Sequence, residues 1–206
     1  MTYEIIPVGP LGVNCVILWE QPGQAWLVDP GGDVETLFDF MARRGLQPAC
    51  VLLTHGHCDH IAALDAILEA YPVPVYLPTA DAFWAFSAVN AIPGIYPAPP
   101  ARPATLIPPP DTLALGGLEA RILPTPGHTP GGVSFYVPSL AAVFTGDALF
   151  AGSIGRTDTR FGDTDQLLAA IRDHLYTLPD ATRVLPGHGD ETTIGWEKRN
   201  NPYVRG

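Results

Sequence analysis

The sequence predicts an α/β fold in which two β-sheets pack face to face with helices on their outer sides. Two observations predict it. Short strand-like runs followed by a helix occur twice along the chain, and 47% of the residues are hydrophobic against 16% charged, which is enough apolar surface for a buried core. A length of 206 residues suits one domain, here 1–206, and neither an internal repeat nor a linker interrupts it.

In the first half, Tyr3 to Val8, Asn14 to Trp19 and Ala25 to Val28 read as strands, closed by the turn Asp29-Pro30-Gly31-Gly32. A helix is expected from Val34 to Arg44, with Asp33 as its N-cap and Gly45 as its stop. The apolar run Cys50 to Leu53 then leads into a motif loop and a helix from about His60 to Tyr71. Eight prolines fall between Pro93 and Pro110, which rules out a central strand or an ordinary helix there. That stretch reads as a rigid surface connection, with a wall or lid beside an active site as the alternative. In the second half, Thr112 to Leu115, Leu118 to Leu123, Val133 to Val137 and Ala141 to Phe144 read as strands. A helix from Thr164 to Leu175, a short strand Arg183 to Leu185 and an irregular tail complete the chain.

The net charge of −10 argues against nucleic-acid and anionic-membrane partners, because no broad basic surface is present to neutralise phosphates. A small anionic substrate stays open, since seven of the eleven Lys and Arg residues lie after position 150. No signal-like N-terminus and no membrane-length apolar run is seen, and three scattered cysteines fit a reducing compartment. A cytoplasmic location is the expectation, and one lysine against ten arginines suggests a GC-rich bacterial genome.

Four apolar runs end alike. Val51 to Thr54 leads into His55, Ile122 to Gly127 into His128, Val143 to Gly146 into Asp147, and Val184 to Gly187 into His188. If these strands share an edge, their loops meet, which is where rigid scaffolds hold chemistry. The densest motif is Thr54-His55-Gly56-His57-Cys58-Asp59-His60. At spacing two, His55 and His57 project to one side, while Asp59 and His60 open a helix nearby. Four ligand-type side chains in six residues are costly to crowd without a cation, and neutral imidazole with carboxylate suits zinc, iron or manganese. Five of the six histidines lie in these motifs and only His174 stands apart, on a solvated helix face. Cys58 reads as a small buried filler, and Cys15 and Cys50 as core.

The string T-H-G-H-C-D-H resembles the H-x-H-x-D-H signature of the metallo-β-lactamase superfamily, with His128, Asp147 and His188 following in the expected order. The resemblance covers nearly the whole chain and implies a four-layer αββα sandwich. It implies that His55, His57 and His128 bind one metal, that Asp59, His60 and His188 bind a second, and that Asp147 bridges them. The segment Thr145 to Asp158 and the tail Pro186 to Pro202 look most like short glyoxalase II-type hydrolases. Full-length enzymes of that type carry a further C-terminal helical domain that helps bind glutathione, which this sequence lacks. β-Lactamases of the superfamily commonly have a cysteine at the position of Asp147, its diiron flavoproteins a glutamate at His57, and its nucleases act on phosphodiesters. These features favour thioester hydrolysis.

The implied chemistry uses two divalent cations, zinc first with iron or manganese as alternatives. At about 3.5–4 Å apart they share a water, lower its pKa and yield a hydroxide nucleophile. Asp59 and Asp147 are the candidate catalytic groups, Asp147 because two carboxylate oxygens can reach both metals and Asp59 because it can orient the nucleophile. A thiol with a pKa near 8.5 leaves as thiolate without a dedicated acid. Arg156 matches a basic position that faces glutathione carboxylates in glyoxalase II enzymes. With Lys198 and Arg199 it forms a candidate anion clamp, each also readable as solvated surface charge.

The expected substrate is a small-molecule thioester, S-lactoylglutathione foremost, with another small thioester or a lactone as an alternative. A persulfide dioxygenase is the runner-up on the same fold, with His55, His128 and Asp147 around a single iron. A binding scaffold with a structural metal is the third reading. Structural zinc sites are typically closed and rich in cysteine, unlike seven N/O groups.

Overall fold

The computed structural model describes residues 2–115 and 117–206. In the first half, β1 (Thr2–Val8), β2 (Val13–Trp19) and β3 (Gly23–Val28) form an antiparallel meander. Helix α1 (Val34–Arg44) follows, and Gly45 in the left-handed region closes it by returning its N–H to Ala42 and Met41. Asp33 does not cap α1 with its side chain. Its carboxylate instead accepts the Gly9 N–H at 2.8 Å, tying the helix entrance to the β1–β2 turn.

Strand β4 (Leu46–Leu52) pairs parallel with β3. The single helix expected after the motif is two short ones, α2 (Cys58–Ile61) and α3 (Leu64–Ala70). The break falls where the Ala63 N–H leaves the helix to reach the Pro30 carbonyl at 3.0 Å, a long-range bond that local pattern cannot signal. Strand β5 (Val75–Tyr76), helix α4 (Thr79–Ala82) and strand β6 (Leu106–Ile107) complete this half. The first sheet runs β1-β2-β3-β4-β5-β6. The proline-rich segment thus supplies an edge strand, the one sheet position that tolerates it.

The second half begins with β7 (Thr112–Leu115), β8 (Leu118–Pro124), β9 (Val133–Val137) and β10 (Ala142–Gly146), each antiparallel to the one before it. A two-stranded ribbon, β11 (Leu149–Phe150) with β12 (Ser153–Ile154), leads to α5 (Thr164–Ala170), capped by the Asp163 carboxylate and extended by one π-turn over Ile171–Leu175. Strand β13 (Arg183–Pro186) lies parallel to β10, and β14 (Thr192–Thr193) closes the sheet order β14-β13-β10-β9-β8-β7. The tail is not irregular, for it forms α6 (Ile194–Asn200), whose N-cap Thr193 accepts the Trp196 N–H.

Alternation along the strands builds three apolar layers. On β2, Cys15, Ile17 and Trp19 face α1 and α3, while Val16 and Leu18 face the other sheet. Between the sheets lie Trp26, Phe135 and Phe144, each fully buried and each worth about 1.5–3 kcal/mol in transfer terms. Tyr136, on the opposite parity of β9, packs outward against Leu167, Ile171 and Ile194. Helix, sheet, sheet, helix is therefore the layer order.

Candidate active site

Strands β8, β10 and β13 run in one direction, so their C-terminal ends lie on one edge of the second sheet. From those ends come His128, Asp147 and His188. Across the interface, the end of β4 supplies His55 and His57, and α2 supplies Asp59 and His60. The structure brings all seven together. Three groups each gather ligand-type atoms within 4.8 Å: His55 with His57 and His128, Asp59 with His60 and His188, and His55 with His60 and Asp147.

Each of four imidazoles is aimed by the bond its outer nitrogen makes. His60 donates from Nδ1 to Asp29 Oδ2 at 2.9 Å. His128 donates from Nδ1 to the Arg156 carbonyl at 2.7 Å, and His188 to the Leu11 carbonyl at 3.2 Å. Thr54 Oγ1 gives its proton to Asp29 at 2.6 Å, so it accepts from His55 Nδ1 at 3.0 Å. Carbonyl and carboxylate oxygens can only accept, so these partners fix the tautomers and leave every Nε2 unprotonated when the ring is neutral.

Unprotonated nitrogens then converge. His55 Nε2 is 3.0 Å and His128 Nε2 is 2.9 Å from His57 Nδ1, and one proton on His57 cannot serve both acceptors in good geometry. Nearby, His60 Nε2 and Asp147 Oδ1 are buried 3.4 Å apart without a hydrogen-bond partner among the described residues. Buried polar atoms left unmatched are expensive. A donor set of five imidazoles and two carboxylates in this state fits divalent cations.

The electrostatics agree at His55 and His57, while His60 would give up a proton to a cation. Burial, reinforced by the neighbouring imidazoles, holds His55 well below the ordinary histidine range and His57 at about 4, so both lone pairs are free at neutral pH. At His60 burial opposes charge, but Asp147, Asp59 and Asp29 prevail and push the ring well above that range. Burial would raise Asp147 and Asp59 too, yet His60, with His128 and His188 at Asp147 and His188 at Asp59, holds both below the usual carboxylate range.

Two buried side chains outside the motifs hold the loops in place. Asp81 accepts from the Gly56 N–H at 2.9 Å, the Thr129 hydroxyl at 2.8 Å and the Gly131 N–H at 2.7 Å, so one carboxylate fastens the loops bearing His55, His57 and His128. Asn90 accepts the Cys58 N–H and donates to the Gly56 and Ala85 carbonyls. Gly187 is required by contact, because a Cβ there would collide with Asp147 Oδ1 and sit 2.8 Å from His60 Cε1. Neither Asp81 nor Asn90 belongs to a spaced motif, so sequence reading missed them. Asp29 had a signal in its strand-end turn, but nothing tied it to His60.

A cavity of about 500 Å³ opens over the cluster, walled by Leu11, Trp84, Val89, Ile92 and Phe161. The proline-rich residues 93–110 do not line it, and the wall beside the site is the segment just before them. Cys58 is buried against the cavity, its thiol pushed up to about 11 chiefly by burial. Arg156 lines the cavity, but its guanidinium pairs with Asp158 through two bonds of 2.8 and 3.2 Å. Lys198 and Arg199 are not brought to the cavity. Both sit on α6 against Asp180, at 2.8 and 3.3 Å, because α6 packs on the outer face of the second sheet. No helix among the described residues is long and apolar enough to cross a membrane.

Imidazoles and carboxylates meeting where two packed sheets end, beneath an open cavity, mark an enzyme of the hydrolase class. The chain belongs to the metallo-beta-lactamase superfamily, whose family model matches residues 8–188. That superfamily binds divalent metals in a His/Asp site. A probable metallo-hydrolase of Bacillus subtilis is 40% identical over 100% of this chain and 99% of its own. A hydroxyacylglutathione hydrolase, GloC, of Haemophilus influenzae is 36% identical, covering 99% and 98%. Among solved structures, the BLEG-1 B3 metallo-beta-lactamase superposes at a TM-score of 0.91 with 39% identity and full coverage of both chains. A protein solved in a di-iron-bound form reaches 0.85 at 39% identity, covering 98% of this chain and 100% of its own. ETHE1 from Myxococcus xanthus reaches 0.79 at 30% identity, covering 98% and 84%.

Proposed function

We propose that this protein is a thioester hydrolase that converts S-2-hydroxyacylglutathione thioesters, S-lactoylglutathione among them, to a 2-hydroxy acid and glutathione. The observation that carries the reading is the convergence of His55 Nε2, His57 Nδ1 and His128 Nε2 beside Asp147 at the floor of an open cavity. His55, His57 and His128 would hold one divalent cation and Asp59, His60 and His188 a second, with Asp147 between them. Zinc is the first choice, and iron is the alternative in view of the di-iron relative. Bound there, such cations polarise a carbonyl and acidify a water.

The chain's own groups do the rest. Asp29 and the carbonyls of Arg156 and Leu11 keep the imidazoles aimed. The 10% exposed carboxylate of Asp59, 3.3 Å from His188, can orient the attacking water from the cavity side. Water adds its oxygen to the acyl carbon and releases its protons to solvent, the C–S bond breaks, and the sulfur departs as thiolate, which needs no acid at neutral pH. The kinship with GloC supports the substrate.

Thiol release from S-lactoylglutathione by protein loaded with zinc or iron tests the reading, with other thioesters, a lactone and a chromogenic cephalosporin in parallel. Release from none of the thioesters rejects it. The likeness to ETHE1 favours one second reading, a persulfide dioxygenase with a single iron, for which oxygen uptake on glutathione persulfide is the test.

A further inference from the structure

The three cations expected to clamp a charged thiol are engaged elsewhere: Arg156 by Asp158, and Lys198 and Arg199 by Asp180. Among the cavity's cations only Arg160 has no carboxylate partner within the described residues, and it lies over the Phe161 ring at 5.5 Å, near the solvent. What the cavity offers in quantity is apolar surface. Trp84 packs edge-on against His57 at 5.3 Å, Phe161 lies on Trp84 at 5.2 Å and 34°, and Phe83 meets Phe161 at 5.9 Å. Leu11 at 43% and Val89 at 53% exposure also line the cavity, and Phe83, against Phe161 outside it, is 66% exposed.

This wall begins at an imidazole of the reacting cluster, so the group it touches is attached directly to the scissile carbonyl. Of the two ends of an acylglutathione, the thiol end carries the charges, and laying them on indole and phenyl would strip their water without a partner. The acyl end bears none. Resting on the thioester-hydrolase reading, we propose that the Trp84–Phe161 wall is an acyl subsite selecting substrates with a bulky apolar or aromatic acyl group, while the charged thiol end leaves through the mouth past Arg160.

S-mandeloylglutathione and S-lactoylglutathione differ only by phenyl in place of methyl, so the ratio of their kcat/KM values isolates the wall. In metal-loaded wild type the ratio is expected to favour mandeloyl by at least about tenfold, the scale of burying several extra carbons. It should fall at least about fivefold in Phe161→Ala, a half-buried position whose truncation spares the core, and also in Val89→Ser. A wild-type ratio below about tenfold, or an unchanged ratio in both variants, overturns the subsite while leaving the hydrolase reading standing. Hydrolysis of neither thioester removes the subsite, and hydrolysis of no thioester at all removes the hydrolase reading with it.

Discussion

Asp29 Oδ2 stands 2.9 Å from His60 Nδ1, and the same carboxylate takes the Thr54 hydroxyl proton and, through Oδ1, the Thr54 N–H. One buried acid therefore aims His60 directly and His55 through Thr54. Replacing it with asparagine puts an N–H where an acceptor stood. Asp29→Asn is expected to weaken divalent-metal affinity by about 10–100-fold, read by competition with a chelating dye, since outer partners of ligating histidines carry that much. Unchanged affinity would detach Asp29 from the site.

Asp81 predicts a different pattern. Its three donors are Gly56, between His55 and His57, and Thr129 and Gly131, just after His128, and none lies within α2 or the His188 loop. Asp81→Asn should weaken one of two metal equivalents and spare the other, with a stability loss of about 2–3 kcal/mol from the mismatched buried bonds. Stepwise metal titration beside denaturant unfolding separates the two effects.

Gly187→Ala tests how tightly the floor is packed. The added methyl must displace Asp147 or the His60 ring, and shifts near 1 Å at a reacting centre cost about a hundredfold in rate. The measurement is kcat at saturating metal, and a loss under about threefold would mean the floor yields freely.

The charged groups at the periphery should matter little. Lys198→Ala and Arg199→Ala are each expected to change kcat/KM less than about twofold, because their partner is an exposed Asp180 on the far side of α6. A large loss in either would place the substrate elsewhere than the cavity described.

Cation removal should be visible in stability. A ligand at about a thousandfold excess over its Kd adds about 4 kcal/mol, which for a chain of this size raises Tm by about 8–16 °C. Calorimetry of chelator-treated protein with and without zinc measures it.

The seven clustered groups were legible in the sequence because they fall in four motifs that each follow an apolar strand, so strand order carries them together. The recurrence of strands followed by a helix likewise disclosed the two sheets. What stayed hidden depends on contacts distant in sequence. Ala63 leaves its helix for Pro30, Lys198 finds Asp180 eighteen positions back, and Asp81 and Asn90 reach Gly56 from a segment with no spacing pattern. The helix α6 escaped notice because Gly195 and Asn200 weaken its propensity, while Thr193 and packing on the second sheet supply what propensity does not.

Each of the three triads takes two members from the first half of the chain and one from the second: His55 and His57 with His128, Asp59 and His60 with His188, and His55 and His60 with Asp147. An ion seated in any of them is a rivet through the seam of the sandwich, added to the hydrogen bonds that Asn14, Asp81 and the Thr54 carbonyl already make across it. Loading and closure of the two sheets are then one equilibrium, and a chain starved of metal should breathe first along that seam, with faster amide exchange at the ends of β4 and β13 than in their middles.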